Sequence, residues 1–202
     1  MNLATLIREI QTALKLTPDG KAGPLTWAAI YDKIVGKKAP DEHAPSVTWP
    51  VDDRSETNIA TLHPRVQSYA RALILRAKDS GITIKVISGT RTYDEQAKLY
   101  AQGRTAPGPK VTNASPGYSN HNFGLVFDIG VFSGNRYLEE SPAYKAVGAI
   151  GMELGLEWGG NWKSIQDEQH FQLRPQWAAH LAESDMLMEL RRRKLSNTDA
   201  FA

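Results

Sequence analysis

The chain has 202 residues, a length that allows one globular domain with a small appendage. Its composition is 41% hydrophobic and 23% charged, which supplies enough apolar material for a packed core and excludes general disorder. The formal net charge of +2 is too small to indicate a nucleic-acid-binding protein, so we expect no such partner. The chain contains no cysteine, so disulfides and thiolate nucleophiles are excluded, and any metal must be held by His, Asp or Glu.

Residues 1–36 predict a small helical module. Apolar residues recur at helical spacing over 3–14, and the turn sequence TPDG follows. Pro24 opens a second helix, for which we expect Trp27, Ile30, Tyr31 and Ile34 on the buried face. A module of this size is too small to be very stable alone.

Residues 37–50 contain three prolines and mixed charge without periodicity, which predicts a stiff linker. Residues 51–202 form the predicted second domain, in which helices and strands mix without regular β-α-β alternation, a pattern typical of the α+β class. We predict helices beginning at 64, 92 and 142 and a closing helix over 175–194, with buried strands over 82–88 and 124–131.

No apolar run approaches the roughly 20 residues that a membrane-spanning helix needs, so we expect no stable membrane insertion. The first segment, 1–15, carries Arg8, Glu9 and Lys15 within its apolar pattern and lacks a small-residue cleavage site, unlike a secretory leader. We therefore expect the protein to stay in the cytoplasm unless another factor releases it.

The first concentration of chemically useful residues contains His121 and Asp128. Seven positions apart, they would lie on opposite faces of an ideal strand, but Gly124 between them allows a bend that brings both side chains to one point. Asp128 stands in the apolar run LVFDI, where a carboxylate must be paired or metal-bound to offset its desolvation.

The second concentration is the sequence Asp-Glu-Gln-His that ends at His170. If this turn is helical, Asp167 and His170 share a face. Two histidines and one aspartate, His121, Asp128 and His170, match a catalytic zinc site that keeps a fourth position for water. Other interpretations stay open, because His121 could be a hydrogen-bonding loop residue, and Asp167 and Glu168 could be solvated charges.

These motifs, S-x-H-x-x-G-x-V-x-D from Ser119 and then D-x-x-H-F, resemble the VanY-like zinc peptidases of the D-alanyl-D-alanine carboxypeptidase superfamily, which act on peptidoglycan stem peptides. The resemblance spans 51–173 and implies a small α+β zinc peptidase domain, hedgehog- or DD-peptidase-like, with a central antiparallel sheet flanked by helices. Further blocks are similar to the phage-endolysin and L-alanyl-D-glutamate endopeptidase branch: NIATLHP at 58–64, SGTRT at 88–92, LYAQGRT at 99–105 and WGGNWKS at 158–164.

The resemblance implies that one Zn²⁺ is held by three ligands: His121, Asp128 and His170. It implies that Asp167 is the general base, with Glu168 as the competing candidate. Val126 departs from the usual alanine of the motif, which we expect to affect packing and not ligation.

Two further residues match substrate-binding positions of the family. Arg91 matches the arginine that binds substrate and polarises the scissile carbonyl, and its alternative is a structural arginine that ties a loop to the strand. Ser119 matches the motif serine, which implies a contact with substrate or with a ligand.

The N-terminal module has its own resemblance. The sequence DGKAGPLTWAAI at 19–30 is similar to the core of type-1 peptidoglycan-binding domains, although no third helix is evident before the linker. The alternative is a helical pair that only packs on the catalytic domain.

Together these features lead us to expect a monomeric, antimicrobial phage endolysin that cleaves the L-Ala–D-Glu bond of peptidoglycan. It would wait in the host cytoplasm and reach the cell wall after holin-mediated release. A D-alanyl-D-alanine carboxypeptidase and a non-catalytic wall-binding protein are the alternatives.

Overall fold

A computed structural model of the chain describes residues 2–22, 24–35, 45, 47, 50–163 and 166–202. The chain divides into two compact units, residues 1–42 and 43–202. Most of the linker predicted over 37–50 lies outside the described residues, so its boundaries stay a prediction. Among the helices described, none is long and apolar enough to cross a membrane.

The N-terminal unit consists of α1 (Leu3–Ala13) and α2 (Pro24–Val35). Asn2 begins α1, because its side chain accepts a hydrogen bond from the backbone N–H of Thr5. Gln11, which is buried, links the two helices, since its side-chain amide bonds four residues that lie between or within them: Asp19, Gly20, Lys21 and Thr26. The buried amide of Gln11 therefore joins the two helices.

The predicted buried face of α2, which also includes Ile30 and Tyr31, is wrong at two of its positions, while Ile30 is half-buried. Trp27 is 60% exposed and Ile34 is 77% exposed. The physical reason is size, because two helices of 11 and 12 residues have too little surface to enclose an apolar face within their own unit.

The second unit is built on an antiparallel sheet with the strand order β1-β2-β5-β4. The first residues of β2 pair with β5, and its last residues pair with β3. This arrangement confirms the predicted α+β class with a central antiparallel sheet. The strands have these bounds: β1 (Thr83–Ser88), β2 (Val126–Ser133), β3 (Arg136–Leu138), β4 (Glu157–Trp158) and β5 (His170–Gln172).

The helices of this unit are α3 (Asp53–Ile59), α4 (Pro64–Asp79), α5 (Tyr93–Ala101), α6 (Ala143–Glu153) and α7 (Glu183–Leu195). Their start signals are confirmed at α4, which has proline in its first turn, and at α5, where Thr92 and Glu95 form a capping box.

The closing helix predicted over 175–194 is wrong in its first part. Residues Gln176–Ala178 form a short 3₁₀ turn instead, and α7 begins only at Glu183. Tertiary contacts fix this turn, since Trp177 donates its indole N–H to the carbonyl of Ala200 and Ala178 is fully buried.

The core packs directly behind the strands that carry the polar motifs. The rings of Phe127 and Phe171, on paired positions of β2 and β5, stack 5.9 Å apart and are fully buried. A Cβ at Gly151 of α6 would lie only 2.4 Å from the Phe171 ring, so glycine lets this helix approach the sheet closely. The same register places Asp128 beside His170.

Candidate active site

Three elements bring His121, Asp128 and His170 together. His121 lies on the 3₁₀ turn Asn120–Phe123, Asp128 lies in β2, and His170 begins β5. Gly124 connects the turn to the strand with a φ of +73°, and a Cβ there would lie 2.8 Å from the backbone nitrogen of His63. Glycine therefore supplies the bend that the spacing of His121 and Asp128 requires.

The donor atoms of this cluster fit a metal ion. The carboxylate Oδ1 of Asp128 lies 3.4 Å from Nε2 of His121 and 3.4 Å from Nδ1 of His170. This oxygen is buried without a hydrogen-bond partner, and the three ligand atoms lie within 4.8 Å of one another. Ligands bonded to one tetrahedral zinc at about 2.0–2.1 Å are separated by about 3.3–3.4 Å, so the residues present suit Zn²⁺.

The other ring nitrogen of each histidine fixes which nitrogen faces Asp128. Nδ1 of His121 lies 2.8 Å from the carbonyl oxygen of Gly89, which can only accept, so Nδ1 carries the proton. Nε2 of His170 lies 3.1 Å from the amide oxygen of Gln172, so there Nε2 carries it. In the neutral rings, both lone pairs therefore point toward Asp128, where a cation satisfies them.

The charges in the cluster act on one another strongly. Burial alone would raise the pKa of Asp128, but the two imidazoles beside it hold that pKa well below its ordinary value. Burial alone would lower the pKa of His170, yet Asp128, with smaller contributions from Gln172 and Asp167, raises it. Asp128 is thus a carboxylate that stays ionised in a buried setting, as a metal ligand must be.

Arg91 lies against the other oxygen of Asp128. Its Nη2 donates to Oδ2 of Asp128 at 2.9 Å and to the hydroxyl of Ser88 at 3.1 Å. This contact ties the loop after β1 to β2, as the structural interpretation of Arg91 expects. It also leaves the side chain 24% exposed at the edge of the cluster, where the substrate-binding interpretation expects it.

Asp167 and Glu168 precede His170 in a turn that is closed by a bond from the His170 N–H to the Asp167 carbonyl. The Asp167 carboxylate accepts from the backbone N–H of Gln169, which fixes its direction, and its charge acts on His170. Both acids are half-buried and line a cleft of about 720 Å³, whose walls do not include His121, Asp128 or His170. Of the two acids, Asp167 is the one whose charge acts on His170, and its role as the proton acceptor stays a prediction.

Ser119 stands immediately before the 3₁₀ turn and makes no capping bond with its side chain, so its hydroxyl is available to another group. Two basic residues of α7 hold this loop in place: Arg191 donates to the Gly117 carbonyl and Lys194 to the Asn122 carbonyl. The basic end of α7 therefore positions the segment that carries Ser119 and His121.

Sequence reasoning did not name two contributors to the site, the Gly89 carbonyl and Gln172. The ring of Trp162, 38% exposed, lies 4.7 Å from that of His170. Gln172 could have been found, since residues two apart on a strand share a face. The Gly89 carbonyl carries no side-chain signal.

Comparison with known proteins decides the family. Residues 112–173 match the family described as D-alanyl-D-alanine carboxypeptidase. The peptidoglycan L-alanyl-D-glutamate endopeptidase CwlK of Bacillus subtilis (strain 168) is 36% identical over 126 residues, which cover 56% of this chain and 74% of CwlK. The chain belongs to this zinc peptidase family. It is accordingly a peptidoglycan-hydrolysing metallopeptidase that uses zinc.

The solved structures that are similar to this chain include the L-Ala D-Glu endopeptidase ChiX of Serratia marcescens. The two share 24% identity with a TM-score of 0.47, and the match covers 61% of this chain and 89% of ChiX. A second is the D,D-pentapeptidase VanY from a VanB-type resistance cassette, in complex with Zn(II), at 19% identity and a TM-score of 0.46. That match covers 64% of this chain and 83% of VanY.

Proposed function

We propose that this chain is an endopeptidase that hydrolyses the L-alanyl–D-glutamate bond of peptidoglycan stem peptides. The observation that carries the proposal is the 36% identity to CwlK, whose name states that activity. The identity extends well beyond the segment 112–173 that matches the broader family. The blocks that resemble the endopeptidase branch at 58–64, 88–92 and 99–105 support the same choice.

In this proposal His121, Asp128 and His170 hold the zinc. The ion, when bound, supplies Lewis-acid polarisation of the scissile carbonyl and lowers the pKa of the attacking water to about 7. The chain holds its three ligands ready by geometry, because the Gly89 carbonyl and the Gln172 amide set the two imidazoles and Arg91 sets the carboxylate.

Asp167 moves the proton in this scheme. Its carboxylate takes a proton from the attacking water as the new C–O bond forms, and it delivers that proton to the leaving amine of D-glutamate as the C–N bond breaks. The turn bond from the Gln169 N–H holds one oxygen, Oδ1, and leaves the other to accept the proton.

Arg91 and Ser119 bind the substrate in this proposal. The guanidinium has one nitrogen on Asp128 and Ser88, and its further N–H groups can donate to the developing oxyanion or to a substrate carboxylate. The Ser119 hydroxyl, uncommitted to a helix cap, offers a second polar contact on the His121 side.

The decisive experiment is digestion of purified peptidoglycan with the full chain, followed by mass spectrometry of the products. We expect new fragments whose free N-terminus is D-glutamate, and none with Asp167→Asn. Release of free D-alanine without such fragments would contradict the proposal.

A D-alanyl-D-alanine carboxypeptidase is the second candidate, and the description of the family that matches residues 112–173 favours it. The zinc ligands suit both reactions, so the same digestion separates them. Released D-alanine with intact L-Ala–D-Glu bonds would establish this alternative.

We also propose an endolysin as the biological setting, with a monomer that reaches the host wall from the cytoplasm after release by a holin. The similarity of the sequence blocks to the phage-endolysin branch supports it. Expression in a bacterial host with and without a co-expressed holin is the test. We expect lysis only with the holin, and lysis by the chain alone would contradict this setting.

A further inference from the structure

A buried glutamine stands directly behind one of the proposed zinc ligands. Gln172 is 2% exposed, and its amide oxygen lies 3.1 Å from Nε2 of His170. The same oxygen accepts a hydrogen bond from the side-chain amide of Asn120 at 2.8 Å. Both lone pairs of this oxygen are therefore used, one of them by the histidine.

Glu157 determines which way round the Gln172 amide lies. The NH₂ group of Gln172 donates to Oε2 of Glu157 at 2.5 Å, and an ionised carboxylate can only accept. The amide oxygen must then face His170. Arg174 holds Glu157 in turn through a 2.5 Å bond and also bonds Glu183, which accepts from Asn120.

We propose that Gln172 is a positioning residue for zinc, oriented by Glu157. By accepting the Nε2–H of His170 it keeps the proton on that nitrogen and leaves Nδ1 as the atom that faces Asp128. The inference rests on the proposed ligands. It concerns only the His170 side, because His121 is oriented by the backbone carbonyl of Gly89.

Removing the acceptor should weaken zinc binding. Gln172→Leu keeps the approximate size of the side chain but leaves the Nε2–H of His170 without its acceptor, and it leaves the Asn120 amide with Glu183 as its one remaining acceptor. Partners of this kind are worth about 10- to 100-fold in metal affinity, and we expect a loss of that size. Glu157→Gln, a milder change at a 39% exposed side chain, should give a smaller loss, because the Gln172 amide is then free to turn over.

A paired exchange tests the direction of the hydrogen bonds. Gln172→Glu alone places two carboxylates against each other and should also weaken zinc binding. In the double variant that adds Glu157→Gln, the carboxylate at position 172 can accept hydrogen bonds from His170, from Asn120 and from the amide at position 157. The double variant should therefore recover most of the lost affinity, which a simple loss of packing would not allow.

The experiment measures zinc affinity of the full chain by competition with a chelator, together with the imidazole ¹⁵N spectrum of the zinc-loaded protein. We expect the wild type to show Nδ1–H at His121 and Nε2–H at His170, and Gln172→Leu to disturb only the His170 signals. Glu189→Gln is the matched control, since Glu189 is also paired with arginines, on α7, and should keep wild-type affinity.

Three outcomes overturn the inference. If the wild type binds zinc while Gln172→Leu and Glu157→Gln both bind it equally tightly, Gln172 has no positioning role. If the double variant binds zinc as weakly as Gln172→Glu alone, the direction of these hydrogen bonds does not determine the zinc affinity. A wild type that binds no zinc would overturn the ligand assignment itself, and this inference with it.

Discussion

The two units of the chain use buried polar groups in different ways. In residues 1–42 a single buried amide, Gln11, joins two helices, while Trp27 and Ile34 lie open on the surface. In residues 43–202 a group of buried polar side chains, His121, His170 and Gln172 among them, stands beside a continuous apolar core and surrounds Asp128. The difference shows that an apolar helix face is buried only where enough further structure exists to cover it.

From this contrast we predict separate tasks for the two units. Every residue of the metal cluster found among the described residues belongs to the second unit. The first unit offers exposed apolar side chains, including an aromatic one, of the kind that contacts sugars or peptides at a binding surface. The predictions below test that division, from the largest expected effect to the smallest.

The largest effect concerns Asp167, the proposed base of the second unit. Asp167→Asn keeps the acceptor for the Gln169 N–H, so the turn before His170 survives, but it removes the carboxylate that accepts the proton in the proposed mechanism. We expect turnover of peptidoglycan to fall about 100- to 10,000-fold, the usual size of general-base catalysis, while zinc content stays at one per chain. Elemental analysis and a turnover assay on the same sample measure both.

Glu168→Gln is the matched control. The part of Glu168 that the fold uses is its backbone carbonyl, which accepts from the indole of Trp158, and the substitution leaves it intact. Turnover should change much less than in Asp167→Asn. If Glu168→Gln lost its turnover while Asp167→Asn kept it, the assignment of the base would be reversed.

Two aromatic substitutions, one in each unit, test the difference in burial. Phe171→Ala removes a fully buried ring that stacks on Phe127, and such truncations cost about 3–5 kcal/mol in the free energy of unfolding. Trp27→Ala removes a ring that is 60% exposed, for which we expect a change within about 0.5 kcal/mol. Chemical denaturation measures both. Equal losses would mean that Trp27 is covered in solution.

Much of the second unit is readable in the sequence because its signals are local. The proline at the start of α4 and the capping box of α5 act within one turn of the helix, so a few neighbouring residues of the sequence are enough to predict them. The bend at Gly124 can also be predicted locally, because the spacing of His121 and Asp128 requires a bend and a left-handed bend favours glycine. The three residues of the cluster were accordingly brought together as expected.

What the sequence does not show depends on contacts between distant segments. Gln172 faces Glu157 across the β4–β5 pair, and the partner of His121 is a backbone carbonyl 32 residues away. The exposure of Trp27 depends on how much structure surrounds α2, which periodicity does not report. Tertiary context of this kind decides positions and partners, while local pattern decides elements.

Removing residues 1–42 should separate attachment from chemistry. We expect the remaining chain to hydrolyse a soluble stem-peptide fragment at the wild-type rate, because no residue of the cluster is lost. Its binding to whole sacculi, measured by co-sedimentation, should weaken, and Trp27→Ala in the full chain should weaken it in part. Unchanged sedimentation of both variants would remove the wall-binding role from the first unit.

The smallest effect compares an acid in each unit. In the second unit Arg71 binds both oxygens of Glu56, at 2.9 and 2.7 Å, and lowers the pKa of that carboxyl from its ordinary value of 4.5. In the first unit the backbone N–H of Lys21, with the amide of Gln11, lowers the pKa of Asp19. A lowered pKa means that each carboxylate stabilises the fold above its unfolded-state pKa and loses that contribution as the pH falls through its folded-state pKa.

The difference in free energy of unfolding between wild type and Glu56→Gln should therefore be largest near neutral pH, at about 1 kcal/mol for a paired, partly buried carboxylate. It should shrink toward zero as the pH falls below 4.5, because protonation breaks the same bonds in the wild type. Glu153→Gln, at an exposed position of α6, is the control and should show no such trend. A constant difference from pH 7 to pH 3 would mean that Glu56 acts through packing and not through its charge.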